Sequence, residues 1–177
     1  MKKLLILDLD ETLLFATEKP LQQAHDFKAQ HYLVYKRPYL KNFLDFAFEN
    51  FTVAVWTSSN ELYANYVVQQ VFASPDSLEF VWARQRCVAK FNPETWEYDY
   101  IKDLKKVKKQ GFCLKQMIMV DDTPKKLRRN YGNLVRVLPF EGDQRDEELL
   151  DLIEYLNQLK DAENIRTVEK RGWKSRL

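Results

Sequence analysis

Glycine is scarce in this chain, with four in 177 residues. Loops that cradle phosphate need several glycines close together, and neither a G-x-G-x-x-G fingerprint nor a Walker loop occurs. Cysteine is scarcer still. Cys87 and Cys113 show no C-x-x-C metal spacing and fit a reducing compartment. The arginine that a cysteine phosphatase carries downstream of its nucleophile would fall at Pro93 or Met119, which removes that chemistry. Histidine is limited to His25 and His31, in one polar segment and without a third partner at useful spacing, so both are expected on the surface. A serine triad would need a histidine base and a G-x-S-x-G elbow, and the elbow is absent. No apolar stretch is long enough to span a membrane. Residues 1–7 begin like a signal peptide, but Asp8 and Asp10 cut the apolar part short. A net charge of +2 argues against binding nucleic acid by phosphate neutralisation. The expectation is a soluble, cytoplasmic chain.

What is present is a globular composition, 45% hydrophobic and 14% aromatic, at a length suited to one domain. The chain is organised around Leu4-Leu5-Ile6-Leu7-Asp8-Leu9-Asp10-Glu11-Thr12-Leu13. A continuous apolar run reads as a strand buried on both faces, and this one ends in two acids. In extended chain Asp8 and Asp10 share a side and repel each other, which suits a hard divalent cation, Mg2+ first, between them. The alternative is a helix N-terminus rich in capping residues.

Two further apolar runs end the same way. Phe51 to Trp56 gives way to Thr57-Ser58-Ser59-Asn60, and Lys115 to Val120 gives way to Asp121-Asp122-Thr123-Pro124. Tyr32 to Tyr35 suits a hairpin arm near the first strand, and short strands are expected at Glu79–Trp82, Cys87–Lys90 and Leu134–Leu138. A helix is expected to open at Arg37-Pro38, with Leu40, Phe43, Leu44, Ala47 and Phe48 inward. Asn60 is a cap for a second helix. A last helix runs from about Asp146 to Lys160, with Leu149, Leu150, Ile153, Leu156 and Leu159 inward. Strands alternating with helices predict a doubly wound α/β sheet whose polar clusters gather at one edge. Lys102 is placed to join them. The basic residues Lys105, Lys106, Lys108, Lys109, Lys125, Lys126, Arg128 and Arg129 read as a solvated face or as a lure for an acidic or phosphorylated partner.

Asp8-Leu9-Asp10-Glu11-Thr12-Leu13 resembles the D-x-D-x-T signature of haloacid dehalogenase (HAD) superfamily phosphatases. Lys36-Arg37-Pro38, Trp56-Thr57-Ser58-Ser59, Cys87 after an arginine-containing loop, Tyr100-Ile101-Lys102-Asp103-Leu104 and Val120-Asp121-Asp122-Thr123-Pro124 follow in family order. They narrow the resemblance to the small C-terminal-domain phosphatases, the NLI-interacting-factor-like branch. It extends to about Arg166, so a phosphatase domain over 1–166 and a charged tail over 167–177, docked or frayed, are expected. The fold implied is a HAD-type Rossmann-like sheet, mostly parallel, with helices on both faces, a small β-hairpin flap and no large cap domain.

The resemblance also implies roles. Asp8 is the expected nucleophile, forming an aspartyl-phosphate, and Asp10 the acid that protonates the leaving oxygen and then activates water. Thr57, Ser58 and Lys102 are expected to hold the phosphate. Mg2+ is expected on Asp8, the backbone carbonyl of Asp10 and Asp122, with Asp121 orienting Lys102 or a metal-bound water, although the two neighbouring acids could trade places. Arg84 matches the position that meets the substrate phosphate. Gln85-Arg86 departs from the acid and serine usual there, and Arg86 is the fallback for the same role. Phosphorylated protein on serine or threonine is the expected substrate, with a small phosphomonoester or a non-catalytic phosphoprotein-binding role as alternatives. A monomer without membrane or dedicated nucleic-acid contacts is expected.

Overall fold

A computed structural model describes residues 2–177. Ten strands and four α-helices occur among them, joined by short 3-10 turns. The strands are β1 (Leu4–Leu7), β2 (Leu14–Thr17), β3 (Phe27–Ala29), β4 (Tyr32–Lys36), β5 (Thr52–Trp56), β6 (Val81–Trp82), β7 (Val88–Asn92), β8 (Glu97–Ile101), β9 (Met117–Asp121) and β10 (Leu134–Arg136). The helices are α1 (Leu40–Asn50), α2 (Glu61–Val71), α3 (Lys105–Lys108) and α4 (Glu148–Leu159).

The central sheet has five strands in the order β10-β9-β1-β5-β6, every pair parallel. Parallel strands are buried on both faces, which is why β1, β5 and β9 read as unbroken apolar runs. Their side chains alternate between two cores. Leu5, Leu7, Val53, Val55, Ile118 and Val120 face the layer holding α1, α2 and α4. Leu4, Ile6, Ala54, Trp56, Met117 and Met119 face the thinner layer of Leu104, Val107 and Leu127, supplied by α3 and a 3-10 turn. A three-stranded antiparallel flap, β2-β4-β3, follows β1, and β7 and β8 form a separate hairpin. No large cap is present among the described residues.

Two helix starts differ from the sequence reading. The first helix starts at Leu40, not at Arg37-Pro38, because Tyr39 takes a left-handed conformation (φ 62°) that breaks the turn. In the last helix Leu150 is exposed and Ile153 half-buried, while Leu152 and Tyr155 turn inward. α4 begins at Glu148, two residues after Asp146, and its buried stripe runs through Leu149, Leu152, Tyr155, Leu156 and Leu159. The C-terminal segment packs on the core: Ile165 and Trp173 are buried, and the Trp173 ring stacks on Tyr155 with centroids 5.0 Å apart.

Candidate active site

Register decides which side chains meet. Leu7 is level with Val55 on one side and Val120 on the other, so the first residue past β1 lies between the ends of β5 and β9. That residue is Asp8, whose amide donates to the Val120 carbonyl at 3.0 Å. Asp121 closes β9 beside it, and Thr57 follows β5 on the other flank. The carboxyl edge of a parallel sheet is where open α/β folds bind ligands.

The expected extended path through Asp10 does not occur. After Leu7 the chain coils, and the amides of Thr12, Leu13 and Leu14 all donate to the Leu9 carbonyl, with Glu11 left-handed at φ 61°. The two carboxylates therefore diverge. Asp8 turns into the sheet end. Asp10 turns toward α2 and accepts from the Ser59 hydroxyl at 2.7 Å and the Tyr63 hydroxyl at 2.5 Å. Asn60 caps α2 by accepting from the Tyr63 amide at 2.9 Å, which fixes the turn that aims both donors.

Asp8, Asp121 and Asp122 form one buried cluster, each offering an oxygen within 4.8 Å of the others. Lys102, with a fully buried side chain, reaches Asp8 Oδ1 at 2.9 Å and donates to Asp121 Oδ2 at 2.6 Å. Lys126 approaches from the outer side, at 2.9 Å from Asp8 Oδ2 and 3.5 Å from both Asp121 Oδ1 and Asp122 Oδ1. Three acids thus share two ammonium groups. Asp8 Oδ1 and Asp122 Oδ1 are buried without a well-directed hydrogen bond. Each of these oxygens has an ammonium near it, Lys102 at 2.9 Å and Lys126 at 3.5 Å, and this all-oxygen set of acids suits a hard divalent ion. The residues fit Mg2+.

Burial would push Asp8 up, but the charges and hydrogen bonds of Lys102 and Lys126 outweigh it and hold its carboxyl below the usual range. Asp121 is pushed up, first by burial and then by the charge on Asp8, with Lys102 opposing. Burial also raises Asp10, partly offset by the bonds from Tyr63 and Ser59 and reinforced by Asp8. Environments that drive neighbouring carboxyls apart in this way are how one site obtains an ionised acid beside a protonatable one.

The remaining candidates lie around this centre. Thr57 is buried, and its Oγ1 accepts from the Ser59 amide at 3.0 Å. Ser58 is half-buried, and its carbonyl accepts from Arg84 Nε at 2.7 Å. Arg84 is exposed and lies over the Tyr100 ring at 4.8 Å, while Arg86 lies over Trp82 at 4.2 Å. Cys87 packs under the Thr57 carbonyl, its thiol pushed up by burial. Arg37 anchors the loop from behind, with a bidentate grip on Asp146 and a bond to the Thr12 carbonyl. His25 and His31 are exposed. A cavity of about 910 Å³ lies elsewhere, between β10 and the C-terminal segment, and holds none of the cluster.

Three contacts were not read from the sequence. In sequence Tyr63 is only a position on the helix that Asn60 caps and Ser59 one of several hydroxyls, since a hydrogen bond back to Asp10 leaves no periodic trace. In sequence Lys126 belongs to the basic run that reads as a solvated face or as a lure for an acidic or phosphorylated partner. It is instead only 20% exposed, and its one sequence signal is its position four residues after Asp122.

A family model described as NLI interacting factor-like phosphatase matches residues 3–166. The CTD small phosphatase-like protein 2 of Dictyostelium discoideum is 31% identical over 169 residues, covering 92% of this chain. This chain spans only 28% of that protein's length. CTD nuclear envelope phosphatase 1 of Xenopus laevis is 27% identical over 186 residues, covering 97% of this chain and 72% of the relative. A solved structure of Fcp1, described as an essential RNA polymerase II CTD phosphatase, gives a TM-score of 0.70 at 16% identity, covering 90% of this chain and 62% of that one. That likeness bears on the fold alone. The cytoplasmic expectation is overturned by the Xenopus relative, which is named for the nuclear envelope. Cysteine scarcity and short apolar runs speak to redox state and spans, not to address. Among the described residues no helix is long and apolar enough to cross a membrane.

Proposed function

The chain belongs to the NLI interacting factor-like phosphatase family, and on that footing we propose that it is a Mg2+-dependent phosphomonoester hydrolase working through an aspartyl-phosphate on Asp8. The observation that carries this reading is the Asp8 carboxylate at the sheet's edge, held ionised by two lysines, with the raised carboxyl of Asp10 beside it.

The reaction runs in two halves. An Asp8 oxygen attacks phosphorus, and the bond to the leaving oxygen breaks as Asp10 gives that oxygen a proton. Asp10, now ionised, takes a proton from water as the water attacks phosphorus and releases inorganic phosphate from Asp8. Tyr63 and Ser59 keep Asp10 in one orientation through both halves.

A carboxylate approaching a phosphate meets repulsion of roughly 4 kcal/mol per charge pair at about 4 Å and an effective dielectric near 20. Lys102 offsets part of this from its buried position beside Asp8, and the Thr57 hydroxyl would donate to a phosphate oxygen. Asp8, Asp122 and the Asp10 carbonyl would hold Mg2+, with Asp121 keeping Lys102 in place. Bound there, the ion supplies charge neutralisation for the acids and the transferring oxygens. Arg84 is tied to the Ser58 carbonyl at the rim, where it can meet an incoming phosphate.

The proposed substrate is a protein carrying phosphoserine or phosphothreonine. Support comes from the flap and hairpin, too small to enclose a metabolite, and from relatives named as CTD phosphatases. The test is hydrolysis of p-nitrophenyl phosphate with Mg2+, with EDTA, and by Asp8→Asn. Turnover that needs Mg2+ and vanishes in the variant is expected; ordinary turnover by Asp8→Asn removes Asp8 as nucleophile. Phosphopeptides run against a metabolite panel then decide the substrate class, and faster release from metabolites overturns the protein-phosphatase reading.

A further inference from the structure

The two lysines of the acidic centre are not equivalent. Lys102 is wholly buried and touches the inner oxygens of Asp8 and Asp121. Lys126 touches the outer oxygens of the same two acids and is the one of the pair that also meets Asp122. Its backbone is fixed in the 3-10 turn Pro124–Leu127, with its amide on the Thr123 carbonyl and its own carbonyl on the Lys102 amide. Its neighbour Lys125 points away, to Asp99 at 2.8 Å. Asp8, Asp121 and Asp122 are also the acids that each offer an oxygen within 4.8 Å of the others. A divalent ion with oxygen ligands at about 2.1 Å would need the space that the Lys126 ammonium fills.

We propose that Lys126 is a built-in counter-cation, which holds the Asp8–Asp121–Asp122 centre together while no divalent ion is bound and must leave for the metal to enter. The proposal rests on the metal-centred reading above and adds its regulation. The side chain is equipped for both states: a long flexible stem on an anchored backbone, partly open to solvent, can withdraw without disturbing the turn. Lys102, without solvent access, cannot. One consequence is a protein that stays folded without metal, because its acids are never left bare. The other is a weakened affinity for Mg2+, since each binding event must displace an ammonium already paired with three carboxylates.

Calorimetric titration of the full chain with MgCl2 tests this, comparing the unaltered protein with Lys126→Met, which keeps the stem, and Lys126→Arg, which keeps the charge. Lys126→Met should bind Mg2+ at least tenfold tighter and melt at a lower temperature in EDTA, whereas Lys126→Arg should stay near the parent. Measurable binding that is equal or weaker in Lys126→Met overturns the competition and leaves the phosphatase reading standing. No binding by any of the three overturns the metal centre as well. A second measurement needs no variant: acetylation of the native protein, mapped by mass spectrometry, should label Lys126 faster in saturating Mg2+ than in EDTA while Lys102 stays protected. Unchanged or slower labelling of Lys126 refutes its displacement.

Discussion

Replacing Arg37 by methionine should cost about 3–4 kcal/mol of stability, although the residue touches none of the acids of the site. Its side chain is wholly buried, with Nε 2.7 Å from Asp146 Oδ1, one terminal nitrogen 2.8 Å from Oδ2, and the other 3.0 Å from the Thr12 carbonyl. Breaking a buried pair by removing one partner costs about 3–5 kcal/mol. Asp146 is 18% exposed and still accepts from the Glu148 amide, so water recovers part of that loss and about 2–3 kcal/mol remains. The Thr12 carbonyl, left without its donor, adds about 1 kcal/mol. Methionine preserves most of the packing against Phe140, so little is owed to a cavity. At about 2–4 °C per kcal/mol for a chain of this size, the melting temperature should fall by about 6–16 °C. Thermal unfolding followed by circular dichroism reads this directly. A double-mutant cycle with Asp146→Asn should return a coupling of at least about 2 kcal/mol. Lys at position 37 should recover only part of the loss, because an ammonium cannot reproduce the fork that grips both oxygens. A melting temperature lowered by less than about 3 °C, or a cycle that closes additively, would show that the clamp is not energetically significant.

Two more outcomes are expected. Tyr63→Phe removes a hydroxyl that favours ionised Asp10, so the Asp10 carboxyl should titrate higher and the acidic limb of p-nitrophenyl phosphate turnover should move up in pH. A charge-assisted hydrogen bond worth about 1.5 kcal/mol corresponds to about one pH unit; a limb that stays put or moves down would show that Asp10 is not the base read by that limb. Trp173→Ala should destabilise by about 3–5 kcal/mol in chemical denaturation, through the lost stack on Tyr155 and the lost bond from its indole nitrogen to the Arg136 carbonyl; a cost below about 1 kcal/mol would mean the C-terminal segment contributes little to the fold.

The parts legible in the sequence are those that obey a period. β1, β5 and β9 are buried on both faces and so appear as unbroken apolar runs, and parallel pairing brings their polar ends together whatever the intervening loops do. Asp8, Thr57 and Asp121 follow from that rule alone. What the period cannot carry is direction after a strand ends. Asp10 departs from the extended path because the chain closes a tight turn on the Leu9 carbonyl, and nothing in an alternating pattern announces it. The start of α1 escapes the pattern too: Tyr39 takes a left-handed conformation that no composition rule assigns to tyrosine.

Lys126 is the case where charge counting and geometry part company. In sequence it is one of two adjacent lysines after Pro124, and a pair of that kind reads as solvated. The 3-10 turn parts the two, Lys125 to half-buried Asp99 and Lys126 onto three buried acids. Those acids need positive charge in every state of the protein, because an unpaired carboxylate at this depth would cost several kcal/mol. Lys102 alone cannot supply it, since its contacts end at Asp8 and Asp121 and leave Asp122 without a cation. A second cation is therefore a requirement of the fold as well as of the chemistry. Before metal arrives, the neighbouring turn can provide it from within the same chain.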